Sequence, residues 1–196
     1  ARTLMRMWQP GLAVLREPGW LNADRVRAYV RLLAAASLLI ILGWLALSHG
    51  RLDPTGKLIG TDYASFWAAG RLALEGEAPG AYDPRVHGAL QRDELLGGQE
   101  ETGYAAFFYP PVFLLGLLPF GALPYLASLA LWLALCAGAY FGTVRAIGGN
   151  HLGILPVIAF PAVLISLAHG QTSFLITALF AGAILNLGKQ PLLAGT

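Results

Sequence analysis

Charge is what this chain lacks most. Only 12% of its 196 residues are charged, about half the share usual in soluble domains. The shortage is uneven. No acidic residue lies beyond Glu101, and from Thr102 to Thr196 the only charged side chains are Arg145 and Lys189. A soluble fold of that half would expose large apolar patches, so a membrane protein is expected. Cysteine is nearly absent too. The single Cys136 sits in an apolar run, which leaves no disulfide framework and no thiolate metal site; it reads as a small packing residue. The histidines, at 49, 87, 151 and 169, are dispersed, so nothing in the sequence calls for a metal. There is no glycine-rich phosphate loop ending in Lys-Ser/Thr and no Gly-x-Ser-x-Gly elbow. No basic stripe runs through one segment, which argues against a nucleic-acid partner.

What is present is a series of apolar runs. Residues 1–31 form an Arg-rich tail, with six Arg against Glu17 and Asp24. The positive-inside rule puts that tail in the cytoplasm. Asn22 is placed to cap a helix starting at Ala23. Residues 32–49 read as a first membrane span, uncleaved, because the apolar run and the tail before it are long for a signal peptide. Residues 50–108 then form a large outer loop with short helices, about Asp62–Glu75 and Val86–Leu96. Residues 109–122 are bracketed by prolines and too short to cross, so an interfacial or re-entrant helix is expected. Spans follow at 123–146, at 152–168 (interrupted by Pro156 and Pro161) and at 172–188, with Arg145 and Lys189 on the cytoplasmic side. The stretch 189–196 reads as the start of a further element, as in a piece of a longer protein. The expected fold is an all-α membrane protein with about four transmembrane helices and short interfacial helices in the first outer loop.

Chemistry is expected on the outer face. Asp62 follows the first span and opens a helix. It can serve as a general base toward a hydroxyl, or simply sit in the first turn and satisfy free amides. At about 100° per residue, Phe66, Ala69 and Ala73 share its face and Arg71 lies opposite. Tyr109, Pro110 and Pro111 can shape a cleft or belong to an interfacial aromatic belt. His169 and Gln171, in the turn between the last two spans, can face solvent or line the same cavity as Asp62.

An ordered set of motifs gives these segments a context. Gly60-Thr61-Asp62-Tyr63, Phe66-Trp67-Ala68-Ala69-Gly70, Gly76, Tyr82-Asp83-Pro84, Phe108-Tyr109-Pro110-Pro111, Leu118-Pro119, Leu123-Pro124-Tyr125, Trp132, Phe160-Pro161 and Gly170-Gln171 together resemble glycosyltransferase family 87, from about Arg51 onward. The resemblance implies a GT-C-type membrane enzyme, similar to mannosyltransferases that use a polyprenyl-phosphate sugar. It implies inverting transfer to a lipid or glycan acceptor on the outer face of a bacterial-type plasma membrane, without a metal or other cofactor. It implies Asp62 as catalytic base, with Tyr63, Tyr109, Pro110, Pro111, His169 and Gln171 as substrate-binding residues. The family's many further spans and its Lys-Pro segment have no counterpart here, so much of the donor-binding half is expected beyond this chain. The alternative is a non-catalytic membrane subunit or scaffold whose outer loop binds a partner.

Overall fold

The computed structural model describes residues 22–98, 104–149 and 153–188. The tail up to residue 21, Lys189 and the expected continuation at 189–196 lie outside them. Among the described residues the structure is all-helical and no strand forms. The nearest approach to one is a pair of isolated bridges, His49 with Leu52 and Leu52 with Leu58.

Helix α1 spans Ala23–Ala46. The Asn22 side chain accepts the Arg25 N–H at 2.9 Å and so satisfies one of the amides a helix start leaves free. The helix begins well before the apolar run that starts at Leu32. Arg25, Arg27 and Arg31 do not oppose helix, and their long stems can carry the charges out to an interface. It stops at Ala46, short of the expected end at residue 49. At 24 residues it is about 36 Å long, enough for a hydrocarbon core of roughly 30 Å. Leu32, Leu38, Leu39, Ile40 and Leu42 stand exposed along it. Helix α5, Tyr125–Gly148, has the same length and carries Arg145 in its last turn. These two are the helices long and apolar enough to cross a membrane among the described residues.

The core is built on α2, Thr61–Leu74, nine of whose residues are buried. It packs chiefly against α4, Pro111–Gly121. Gly70 permits the contact: a methyl placed on it would stand 2.5 Å from the Leu117 carbonyl oxygen. Between α2 and α4 lie a 3-10 turn, Ala78–Tyr82, and helix α3, Pro84–Leu90, which runs on into a π-turn at Gln91–Leu95. Asp83 caps α3 by accepting the Arg85 N–H at 2.9 Å, with Pro84 in the first helical position, where a missing N–H costs nothing.

The single interrupted helix expected over 152–168 is two helices: α6, Ile154–Ile158, and α7, Pro161–His169. Pro156 is tolerated in the first turn of α6, where no intrahelical N–H is required. Pro161 starts α7 afresh after a break at Ala159 and Phe160. Helix α8, Ser173–Asn186, is about 21 Å long and packs along α5, while α6 and α7 pack on α1. Helices α6, α7 and α8 are each shorter than a full crossing.

Candidate active site

Two glycines in left-handed backbone bring distant turns together. Gly60, φ 75°, precedes α2, and Gly170, φ 67°, follows α7. The Gly60 N–H donates to the Ala168 carbonyl at 3.1 Å. Helix α5 clamps both turns: the Tyr125 hydroxyl donates to the Ile59 carbonyl at 2.7 Å, and the Trp132 indole N–H to the Gly170 carbonyl at 3.1 Å. A Cβ on Gly170 would lie 2.6 Å from that of Tyr63, so this approach requires glycine.

The result is a pocket of about 470 Å³ at the start of α2. Asp62, Ser65 and Phe66 supply one wall. The extended segment Ala105, Ala106, Phe108 and Tyr109 supplies another. Gln171, Thr172 and Ser173, where α8 begins, supply the third. Asp62 is half-buried in the first turn of α2. Its carboxylate has no hydrogen-bond or ion-pair partner among the described residues, so it satisfies none of the amides of that turn. The positive end of the helix dipole favours a charge there. Arg71, on the opposite face, is paired instead with Glu75 at 2.8 Å. Tyr109 lines the pocket, and its hydroxyl meets Thr172 Oγ1 at 3.1 Å.

Not every expected substrate contact is in the pocket. Tyr63 is fully buried and packs on Phe66, Tyr125 and Trp132. Ser128 Oγ donates to the Phe120 carbonyl at 2.7 Å, so the Tyr63 hydroxyl, bonded to that same Oγ, is the donor in its own contact. Burial pushes the phenol well above its ordinary range. Tyr63 is therefore a core residue, facing away from the pocket that Asp62 lines. Pro110 and Pro111 start α4 and do not line the pocket; they turn the chain so that Tyr109 can. His169 is exposed, outside the pocket, with its ring folded back so that Nδ1–H donates to the Ile165 carbonyl at 2.9 Å. Only Asp62, Tyr109 and Gln171 of the expected set come together there. Ser65, Thr172 and Ser173 join them without having been singled out from the sequence. Their signal was spacing alone: Ser65 lies three residues after Asp62, and the two hydroxyls follow Gln171.

Behind the pocket lies a buried polar network. His87 is fully buried. Its Nε2–H donates to the Ser65 carbonyl at 3.0 Å, and Nδ1 accepts from the Tyr104 hydroxyl at 3.0 Å. Gln91 Nε2 donates to the Ala105 carbonyl at 2.8 Å. Burial depresses the His87 pKa below its ordinary value, opposed by the bond to Ser65, so the ring is neutral at pH 7. The network ties α3 and the π-turn to both α2 and the Ala105 wall.

Residues 107–196 match the model of glycosyltransferase family 87. The match supports glycosyltransferase activity in general terms. No curated protein and no solved structure matches the chain. The resemblance read from the sequence begins near Arg51, whereas the family match begins at 107. It takes in α4 to α8, and with them Tyr109, Gln171, Thr172 and Ser173. Asp62 and Ser65, on α2, come from the segment before it. Among the described residues no three His, Cys, Asp or Glu side chains gather as a metal site would need.

Proposed function

We propose that this chain is part of an integral-membrane, GT-C-type glycosyltransferase. It moves a sugar, mannose by the family resemblance, from a polyprenyl-phosphate donor to a lipid or glycan acceptor at the outer face of a bacterial-type inner membrane. The observation that carries this reading is Asp62: a half-buried carboxylate, unpaired among the described residues, on a pocket that Phe108, Tyr109, Gln171, Thr172 and Ser173 of the family-matched segment also line. In the reaction Asp62 takes the proton of an acceptor hydroxyl. That oxygen attacks the anomeric carbon, and the bond from carbon to phosphate oxygen breaks. The leaving phosphate keeps the electron pair. Attack opposite the leaving group inverts the anomeric centre.

Four crossings are consistent with this: α1, α5, α6 with α7 in series, and α8, whose shorter length a locally thinned bilayer accommodates. In that arrangement the basic ends of α1 and α5 face the cytoplasm and the pocket faces outward. The test is transfer from polyprenyl-phosphate mannose to a glycolipid acceptor by the full-length protein in membranes. Asp62→Asn keeps the shape and removes the base, so transfer should fall by roughly 10²–10⁴-fold. Transfer at the parent rate would end the base assignment, and absence of transfer by the parent itself would favour the partner-binding subunit.

A further inference from the structure

Ser65 presents a buried polar atom that no described residue bonds. The residue is 2% exposed, and its Oγ has no hydrogen-bond partner among the described residues. Its backbone carbonyl is held by His87, so the residue is fixed in place while the hydroxyl is idle. A buried hydroxyl left unsatisfied costs stability, and such a group in a native fold calls for an explanation. Ser65 lines the pocket, one turn along α2 from Asp62. Residues three apart on a helix are neighbours at about 5–6 Å between Cβ atoms, so Ser65 and Asp62 leave α2 as neighbours on the same pocket wall.

The remaining lining narrows the ligand. Thr172 and Tyr109 bond to each other, and Ser173 Oγ donates to Ser166 Oγ at 2.7 Å. Gln171 adds an amide. Among the described residues no Lys or Arg lines the pocket. An anionic group would meet the Asp62 charge with no cation to offset it. A neutral polyol meets a carboxylate that accepts, an amide that does both, and a hydroxyl that rotates to suit.

We infer that this pocket is the subsite for a neutral sugar hydroxyl of the acceptor, and that Ser65 Oγ is the specificity-determining contact that seats that hydroxyl beside Asp62. The inference rests on the acceptor-side role given to Asp62 above. A serine kept for structure would lose stability on truncation. A serine reserved for ligand would lose only binding.

The test uses the full chain in nanodiscs, with methyl α-D-mannopyranoside and mannose 1-phosphate as probes followed by saturation-transfer NMR. The parent should bind the neutral glycoside more tightly than the phosphate. Ser65→Ala should weaken the glycoside by roughly 3- to 10-fold, while Tm stays level or rises by about 2–4 °C. Glycoside binding equal to the parent, a lowered Tm, or preference of the parent for the phosphate would each overturn the inference. Loss of transfer in Asp62→Asn alongside unchanged glycoside binding in Ser65→Ala would overturn this inference alone and leave the transferase reading standing.

Discussion

Gly70 of α2 and Gly121 of α4 meet backbone to backbone. A methyl on Gly121 would collide with the main chain of Gly70 and Arg71, and one on Gly70 with the Leu117 carbonyl. This crossing sets the angle at which α2 delivers Asp62 to the pocket. The atoms in the way are backbone, so they cannot swing aside as a side-chain tip would.

Gly121→Ala should therefore destabilise the fold by about 1–3 kcal/mol through overpacking. Gly116, in the same helix, has open space where its Cβ would go. Gly116→Ala should be neutral or stabilising by up to about 1 kcal/mol. Thermal unfolding of the two variants side by side checks this. A Gly121→Ala protein as stable as the Gly116→Ala one would show that α2 and α4 do not cross here.

Tyr63 and Ser128 should respond unequally to truncation. In Tyr63→Phe, Ser128 Oγ keeps its bond to the Phe120 carbonyl, so the cost should be about 0.5–1.5 kcal/mol. In Ser128→Ala the Tyr63 hydroxyl loses its acceptor in a buried site, while the Phe120 carbonyl keeps the longer bond from the Leu123 N–H at 3.3 Å. That should cost about 1–3 kcal/mol. Chemical denaturation that ranks Tyr63→Phe as the worse variant would contradict the direction of this hydrogen-bond chain.

How much of this was legible in the sequence depends on distance along the chain. The cap at Asn22, the turn entry at Asp83 and the start of α2 depend on neighbours within a few residues, and each follows from residue type. Which face of α2 turns inward does not. Tyr63 and Asp62 are adjacent and both polar at the tip, yet one is buried against α5 and the other lines the pocket. That choice is made by Trp132 and Tyr125, some sixty residues later, and by the glycine at 170. His169 was expected in the pocket because it sits in the right turn; the left-handed Gly170 sends Gln171 inward and leaves His169 outside. The break inside 152–168 was expected from Pro156 and Pro161 alike, but only Pro161 stands where its missing N–H and fixed φ force a restart.

His87 should make stability fall in mild acid. Its buried ring is neutral, with a pKa below the ordinary 6.5. In the unfolded chain the same ring takes up a proton near 6.5. Between the two values the unfolded state binds more protons, so the folded state loses ground as pH drops. The loss should begin near pH 6.5, run at up to about 1.4 kcal/mol per pH unit, and stop below the folded pKa. Tm measured from pH 7.5 to 5 should show this slope in the parent. His87→Gln, which cannot titrate, should start lower at pH 7.5 and show a shallower slope. Parallel slopes in the two proteins would remove His87 as the cause.

The direction of the spans can be read with two single cysteines. Cys136 is buried and can be changed to alanine to clear the background. Thr55, exposed in the loop after α1, should be on the outer side, and Ile147, exposed near the basic end of α5, in the cytoplasm. A membrane-impermeant maleimide on intact cells should label Thr55→Cys at once, and Ile147→Cys only after permeabilisation. The physical basis is the cost of moving Arg145 and the Arg25, Arg27 and Arg31 cluster to the outside, which the positive-inside rule summarises. If Ile147→Cys labels from outside, Arg145 is outside as well. The chain between Thr55 and Ile147 then crosses an even number of times, and α4 with its neighbours must supply a crossing that its 11 residues are too short to make alone.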